Sequence, residues 1–416
     1  MNVFESVESE VRSYCRGWPV VFDRGVGAWL YDEDGNGYLD FFAGAGALNY
    51  GHNNPVLKQV VIDYLQRDGV THALDMHTVA KRDFLETFTE TIMKPRELDY
   101  KIMFPGPAGA NSVEAALKLA RKVTGRESII NFTNAFHGMT LGALSVTGNS
   151  MKRGGAGIPL VHATPMPFDH YLDGQVPDFL WFERLLDDSG SGLNEPAAVI
   201  VETVQGEGGI NVARDEWLRG LADLCRRHDM LLIVDDVQMG CGRTGPFFSF
   251  ESAGIEPDIV CMSKSIGAFG LPLAITLIKP ELDVWEPGEH NGTFRGISPA
   301  FVAATEALRT YWRDDKLEKS TLAKGEQVER VMTVLAEEFP KVPMRPKGRG
   351  LARGLGFESG DLAGKVCRAA FERGLLVETS GPDDEVTKVM PPLTITDDEL
   401  ASGLDILAEA VRAVCS

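Results

Sequence analysis

Between about residues 100 and 280 the chain alternates short β-rich runs, several of them fully apolar, with longer stretches whose apolar residues recur at helical spacing. KIMF, SIINF, AVIVE, MLLIVDD, DIVCM and LAITLI are the short runs. Their length and lack of polar alternation suit strands covered on both faces. Between them, 112–122 repeats Val113, Ala116, Leu117 and Ala120 on one face, and 214–228 repeats Trp217, Leu218, Leu221, Leu224 and Cys225. The alternation predicts an α/β fold with a mainly parallel central sheet.

The flanks read differently. The first fifty residues suggest a leading helix and then short strands, with GAWLYDEDGNGYLDFF forming a β-hairpin around its Glu-Asp-Gly-Asn-Gly turn. After about residue 300 the texture shifts to a long helix (SPAFVAATEALRTYW), a second helix and a mixed region from GRGLARGLGFE onward, as in a smaller α+β domain. A long loop rich in Gly, Pro and Asp is expected over about 147–180.

Composition narrows the function classes. A chain of 416 residues with 44% hydrophobic content has enough apolar surface for a large core. No stretch approaches ~20 consecutive apolar residues and the start is charged and amphipathic, which predicts neither a membrane span nor a signal peptide, hence a cytoplasmic protein. Sixty acidic against 41 basic residues give a formal charge of −19, which repels a phosphate backbone and argues against nucleic-acid binding. A solvated surface and adaptation to a salty cytoplasm both fit that charge. Six cysteines lack CxxC spacing and eight histidines lack HxxxH spacing, so neither a disulfide framework nor a metal site is expected. No G-x-S-x-G elbow occurs.

Two segments carry chemistry. MLLIVDDVQMGCGRTG ends an apolar strand in Asp235 and Asp236, and DIVCMSKSIGAFGLP places Lys264 just past another. In an open α/β sheet the ligand crevice lies at the carboxyl ends of the strands. Alone, the aspartate serves equally well as a turn cap and the lysine as a solvated charge. Together, an amine able to form a Schiff base and a carboxylate able to keep a heteroaromatic nitrogen protonated are what pyridoxal 5′-phosphate requires. That lysine must be partly neutral to act as nucleophile and base, a state favoured by burial. FPGPAGANSVEAALKLAR offers Gly106, Gly109 and Ala110 before an amphipathic helix, a site for the cofactor's phosphate or a plain helix entry. No Walker lysine follows. FFAGAGALNYG lacks the third glycine and long helix of a dinucleotide site. Phe136 and His137, after the strand SIINF, supply an aromatic face for a planar ring or for the core.

These pieces have a recognisable order. LYDEDGNGYLDFFAGAGALNYGHNNP, SVEAALKLAR, FHGMTLGALSVTG, VETVQGEGG, VDDVQMGCGRTG, SKSIGAFGLPLA and the late PPL element resemble the class III aminotransferases of the type I pyridoxal-phosphate fold over essentially the whole chain. The resemblance implies a large cofactor-binding domain over 56–300 and a small α+β domain built from both termini, 1–55 and 301–416. It makes Lys264 the Schiff-base lysine, pairs Asp235 with the pyridine nitrogen, and puts Val237 and Phe136 on the two ring faces and Gln238 on the ring hydroxyl. Gly109, Ala110 and Asn111 match the phosphate site. Thr293 in HNGTFRG matches a threonine that reaches the phosphate of the neighbouring subunit, implying a homodimer or higher homo-oligomer with shared sites.

VRSYCRGWPVVF, AGAGALNYGHNNP, THALDMHT and VWEPGEHNGTFRG resemble the branch of the class that moves an amino group from glutamate to L-aspartate 4-semialdehyde, giving L-2,4-diaminobutyrate and 2-oxoglutarate on the route to ectoine. The small-molecule partners would then be amino acids and oxo acids. Where many ω-aminotransferases carry an arginine before Pro-Pro-Leu, this chain has Lys388, a point charge without a bidentate fork. By the resemblance Glu207 of GEGG masks that cation for one substrate and frees it for the other. Arg295 is a second cation able to anchor a carboxylate, or an ordinary surface arginine. Ornithine, 4-aminobutyrate or putrescine as substrate, and an aminomutase or decarboxylase using the same lysine and aspartate, remain alternatives. Glu207 with a cation suits alternating substrates and speaks against an aminomutase. A non-catalytic relative is disfavoured by the intact Lys264, Asp235 and Gln238.

Overall fold

A computed structural model describes residues 3–172 and 179–416. The chain opens with two short helical segments, Val3–Val7 and Tyr14–Gly17, in place of one leading helix. Neither buries a residue, and a helix without a packed face has little to hold it. Strands β1 (Phe22–Val26), β2 (Trp29–Asp32) and β3 (Gly37–Asp40) form an antiparallel meander, with the expected hairpin pairing Trp29 to Leu39. Asp32 fixes its turn, because its Oδ1 accepts the N–H groups of Asp34 and Asn36.

Helices α1 (Pro55–Gln66) and α2 (Val79–Phe88) lead into the large sheet. Its first members are β4 (Lys101–Met103), β5 (Ile129–Phe132), β6 (Ala163–Met166) and β7 (Ala198–Val201), with α3 (Gly109–Thr124) between β4 and β5. A short ribbon follows, β8 (Val204–Gln205) and β9 (Asn211–Val212), then α4 (Asp215–Arg227) and the strands β10 (Leu231–Asp235), β11 (Ile259–Met262) and β12 (Ile275–Ile278). The seven strands lie in the order β4-β12-β11-β10-β7-β5-β6, parallel except for β12. Strands β5, β7, β11 and β12 are buried throughout and β10 is buried from Leu232 onward, as their apolar runs require.

The 147–180 stretch corrects the sequence reading. It is not one long loop, because it holds a turn of helix at Ser150–Gly154 and the strand β6; residues 173–178 lie outside the described residues. Pro165 disguised the strand. Proline cannot donate to a ladder, so it is tolerated at a sheet edge, and β6 is the edge strand beside β5.

The last third begins with α5 (Ser298–Tyr311), which packs on α1 and α2, and α6 (Lys316–Glu338). Strands β13 (Arg345–Arg349) and β14 (Ala352–Gly356) form a hairpin; α7 (Gly360–Phe371), β15 (Leu375–Leu376), β16 (Glu378–Ser380), β17 (Val386–Val389) and α8 (Asp397–Cys415) complete the chain. A second sheet runs β13-β14-β17-β16, and β15 joins β3, so the smaller α+β unit draws on both ends of the chain. Arg243 ties the parts together. Fully buried, it donates to Leu351 O, Pro391 O and Asn49 Oδ1, which belong to three distant segments. Among the described residues no helix is long and apolar enough to cross a membrane.

Candidate functional site

The parallel pairing of β10 with β11 sets Asp235 opposite Cys261. Both strands end at the same edge, and the turn after β11 brings Lys264 to it. Lys264 has φ +53°, a left-handed conformation that costs a non-glycine residue about 1 kcal/mol or more. The surrounding turn is pinned: Ser263 Oγ donates to Leu273 O at 2.9 Å, and Ser265 Oγ donates to Gly46 O at 2.7 Å. Burial pushes the Lys264 amine below its ordinary value, against the opposing pull of Glu207. Among the described residues no group hydrogen-bonds its Nζ, which lines a cavity shared with Asp235, Glu202, Glu207 and Gln238.

Asp235 is held by two donors. Its Oδ2 is 2.7 Å from His137 Nδ1 and its Oδ1 accepts the Val237 N–H at 3.1 Å. Each oxygen keeps a lone pair for a further donor. His137 therefore orients the carboxylate, and its own Nε2 is buried without a partner. Gln238 Nε2 bridges Ala45 O and Glu207 Oε1, both at 3.0 Å. The Gly-Ala-Gly turn that failed as a dinucleotide motif thus serves as a clamp, receiving Ser265 at Gly46 and Gln238 at Ala45.

The start of α3 forms another wall. Gly109 and Ala110 line the cavity at the positive helix end. A Cβ at Gly109 would lie 2.8 Å from Val237, so only glycine lets the helix approach. Asn111 does not line the cavity; its N–H donates to Ala108 O and its Oδ1 accepts the Ala108 N–H, shaping the cap. Phe136 and Val237 add apolar surface. The Phe136 N–H donates to Glu202 Oε2 at 3.0 Å, and Lys152 Nζ sits 4.3 Å from its ring centroid.

The inferred Glu207–Lys388 pair is present, with Nζ 2.7 Å from Oε1. A Cβ at Gly206 would strike the Gln238 side-chain oxygen, so the residue before Glu207 has no room for a side chain. Burial alone would raise the Glu207 carboxyl, but the charges of Lys388 and Lys264 outweigh it and hold it below the ordinary range. Lys388 is raised although burial opposes this, because Glu207 and Glu378 both face it.

Thr293 and Arg295 are not brought to this cavity within the chain. Thr293 is exposed and its carbonyl lies 2.8 Å from His72 Nε2; Arg295 Nη1 donates to Asn291 Oδ1. Two carboxyls were missed. Glu202 ends the run AVIVE as Asp235 ends its own strand, so the same strand-end argument would have found it. Burial, and then the Asp235 charge, raise its carboxyl well above the usual range. Glu378 had no sequence signal, since only the pairing of β16 with β17 aims it at Lys388.

These groups fit pyridoxal 5′-phosphate. A buried amine of lowered basicity without a partner, a carboxylate with free lone pairs, an aromatic wall and a glycine-opened helix start share one cavity.

Comparison with known proteins agrees with that fit. The profile of the family described as aminotransferase class-III matches residues 13–411. A diaminobutyrate–2-oxoglutarate transaminase of Streptomyces coelicolor is 70% identical, covering 99% of this chain and 98% of its own. One from Oceanobacillus iheyensis is 60% identical, covering 99% and 96%. Among solved structures, an ornithine aminotransferase of Toxoplasma gondii with pyridoxal phosphate partly occupying its active site matches with TM-score 0.84 at 27% identity, over 99% of this chain and 93% of that one.

Asp236 gives the site's neighbourhood a pH signature. Its Oδ2 accepts the Ser249 N–H while Oδ1 is buried without a partner, and burial raises its carboxyl to about 7. The folded chain then holds a proton that the unfolded chain has already lost, so this contribution to stability is complete below about pH 4 and gone above about pH 7. Asp236→Asn should remove the dependence. Relative to the parent, the variant should gain roughly 2 kcal/mol between pH 5 and pH 8, as read by calorimetric unfolding at both pH values; a constant difference would refute the shifted carboxyl.

Proposed function

The chain belongs to the class-III aminotransferases, which use pyridoxal 5′-phosphate, and from that premise we propose that it moves an amino group between L-glutamate and L-aspartate 4-semialdehyde, yielding L-2,4-diaminobutyrate and 2-oxoglutarate on the route to ectoine. What carries the reading is the Glu207–Lys388 ion pair in contact with the cavity of Lys264, in a chain whose full-length relatives are named for that reaction.

When bound, the cofactor supplies an electron sink for the charge left when a substrate carbon gives up its proton. The rest falls to side chains. Lys264 Nζ, made less basic by burial, anchors the cofactor and moves the proton from the amine-bearing carbon. Asp235, braced by His137 and the Val237 N–H, keeps the ring nitrogen protonated. Phe136 and Val237 would hold the cofactor's ring, and Gln238, anchored on Ala45, would meet its hydroxyl. The N–H groups of Gly109 and Ala110 would receive the phosphate, with Asn111 holding the cap in shape.

Substrate exchange is the work of Glu207. When glutamate or 2-oxoglutarate enters, its distal carboxylate takes the place of Glu207 on Lys388; when diaminobutyrate enters, Glu207 stays and, with Glu378, keeps the buried cation compensated. Lys388→Ala should therefore slow the glutamate and 2-oxoglutarate half-reaction about tenfold or more relative to the diaminobutyrate half-reaction. Product identification with paired donors and acceptors completes the test. Equal losses in both halves would remove the exchange role, and better turnover of ornithine, 4-aminobutyrate or putrescine than of diaminobutyrate would reduce the assignment to the class.

The active unit is proposed to be at least a homodimer, with Thr293 reaching the neighbouring subunit's phosphate and Arg295 beside it. Thr293 and its neighbour Phe294 are exposed, and exposed Val70, Leu74, Met76 and Val79 belong to the segment that packs against them through His72. Such apolar surface favours a covering partner. Sedimentation at assay concentration should give a dimer or larger; a fully active monomer would end this proposal.

A further inference from the structure

Lys388 has a second counter-ion. Glu378 of β16 pairs with Lys388 of β17 in the antiparallel register, so both side chains leave the same face of the sheet. Lys388 Nζ lies 2.7 Å from Glu378 Oε1 and 2.7 Å from Glu207 Oε1. The Lys388 side chain is 1% exposed and that of Glu378 10%, so neither charge is shielded well by water. Of the three, only Glu207 lines the cavity, and a substrate reaches Lys388 by displacing it.

With a single carboxylate on Lys388, an incoming diacid would find a bare cation once Glu207 swung aside. With two, Lys388 is already neutralised by Glu378. Two carboxylates and one ammonium sum to −1. The distal carboxylate of a diacid takes that sum to −2, because Glu207 moves aside but stays near. An amino-acid head, carrying an ammonium beside its carboxylate, leaves it at −1. A fixed negative charge therefore disfavours the diacid and spares the zwitterionic head.

We propose that Glu378 is a positioning residue that sets substrate preference through Lys388, holding the site away from tight diacid binding and toward substrates whose far end is an amino-acid head. This rests on the reading that the site alternates between glutamate and a short diamino acid. Burial, together with the Glu207 charge, leaves the Glu378 carboxyl above its ordinary value although the adjacent Lys388 ammonium pulls it down, which ties its charge to that contact.

The test uses the holoenzyme and glutarate, a five-carbon diacid with nothing to transaminate. Calorimetric titration should show Glu378→Gln binding glutarate about threefold more tightly or better than the parent. KM should fall for 2-oxoglutarate and stay within about twofold for L-2,4-diaminobutyrate, with kcat also within about twofold. Glu378→Asp, which draws the carboxylate back by one methylene, should give the same shift at smaller size, and decides the matter if the glutamine variant does not fold. Unchanged or weaker glutarate binding, or equal changes in KM for both substrates, would overturn the proposal. If glutarate binding tightens but the parent enzyme does not turn over diaminobutyrate, the control of Lys388 by Glu378 stands and the substrate reading fails.

Discussion

The parallel register of β10 and β11 is the constraint on which the site depends. It sets Asp235 against Cys261, so the chain leaving β11 arrives beside the carboxylate that ends β10. A slip of one residue would turn the slipped strand's side chains to the opposite faces of a sheet buried on both sides. The register is guarded by the core itself, since every residue of β11 is buried and Ile233, Val234, Ile259 and Val260 have no exposed surface. The local strain at Lys264 is sustained by bonds from Ser263 and Ser265 to segments on either side.

Electrostatics divides the cavity into two ends. At one, Asp235 is braced by His137, with the buried acid Glu202 beside it. At the other, Lys388 sits between Glu207 and Glu378. Lys264 feels both, and burial wins, leaving an amine short of its usual basicity. Gln238 bridges the ends by touching Glu207 while its neighbour Val237 donates to Asp235.

Much of this was legible in the chain. Four of the seven large-sheet strands are buried along their whole length and β10 along all but its first residue, and their apolar runs announce them; β6 stayed hidden because Pro165 breaks the pattern that only an edge strand tolerates. Lys264 and Asp235 were visible because each follows an apolar run, and Glu202 was equally visible by the same rule. The Glu207–Lys388 contact came from resemblance, and the structure gives it a distance. Glu378 was invisible, because nothing local distinguishes it from any polar strand residue; its meaning lies in the residue across the ladder. Arg243 was hidden for the same reason, since its three acceptors are carbonyl and amide oxygens far along the chain.

The central claim is that Lys264 moves the proton in a site that Asp235 completes. It is tested most directly by the single-turnover rate of Lys264→Ala with L-2,4-diaminobutyrate, in protein supplied with pyridoxal 5′-phosphate and matched to the parent for thermal unfolding. The account predicts a rate lower by roughly 10²–10⁴-fold with the unfolding midpoint little changed. A rate within tenfold of the parent would contradict it.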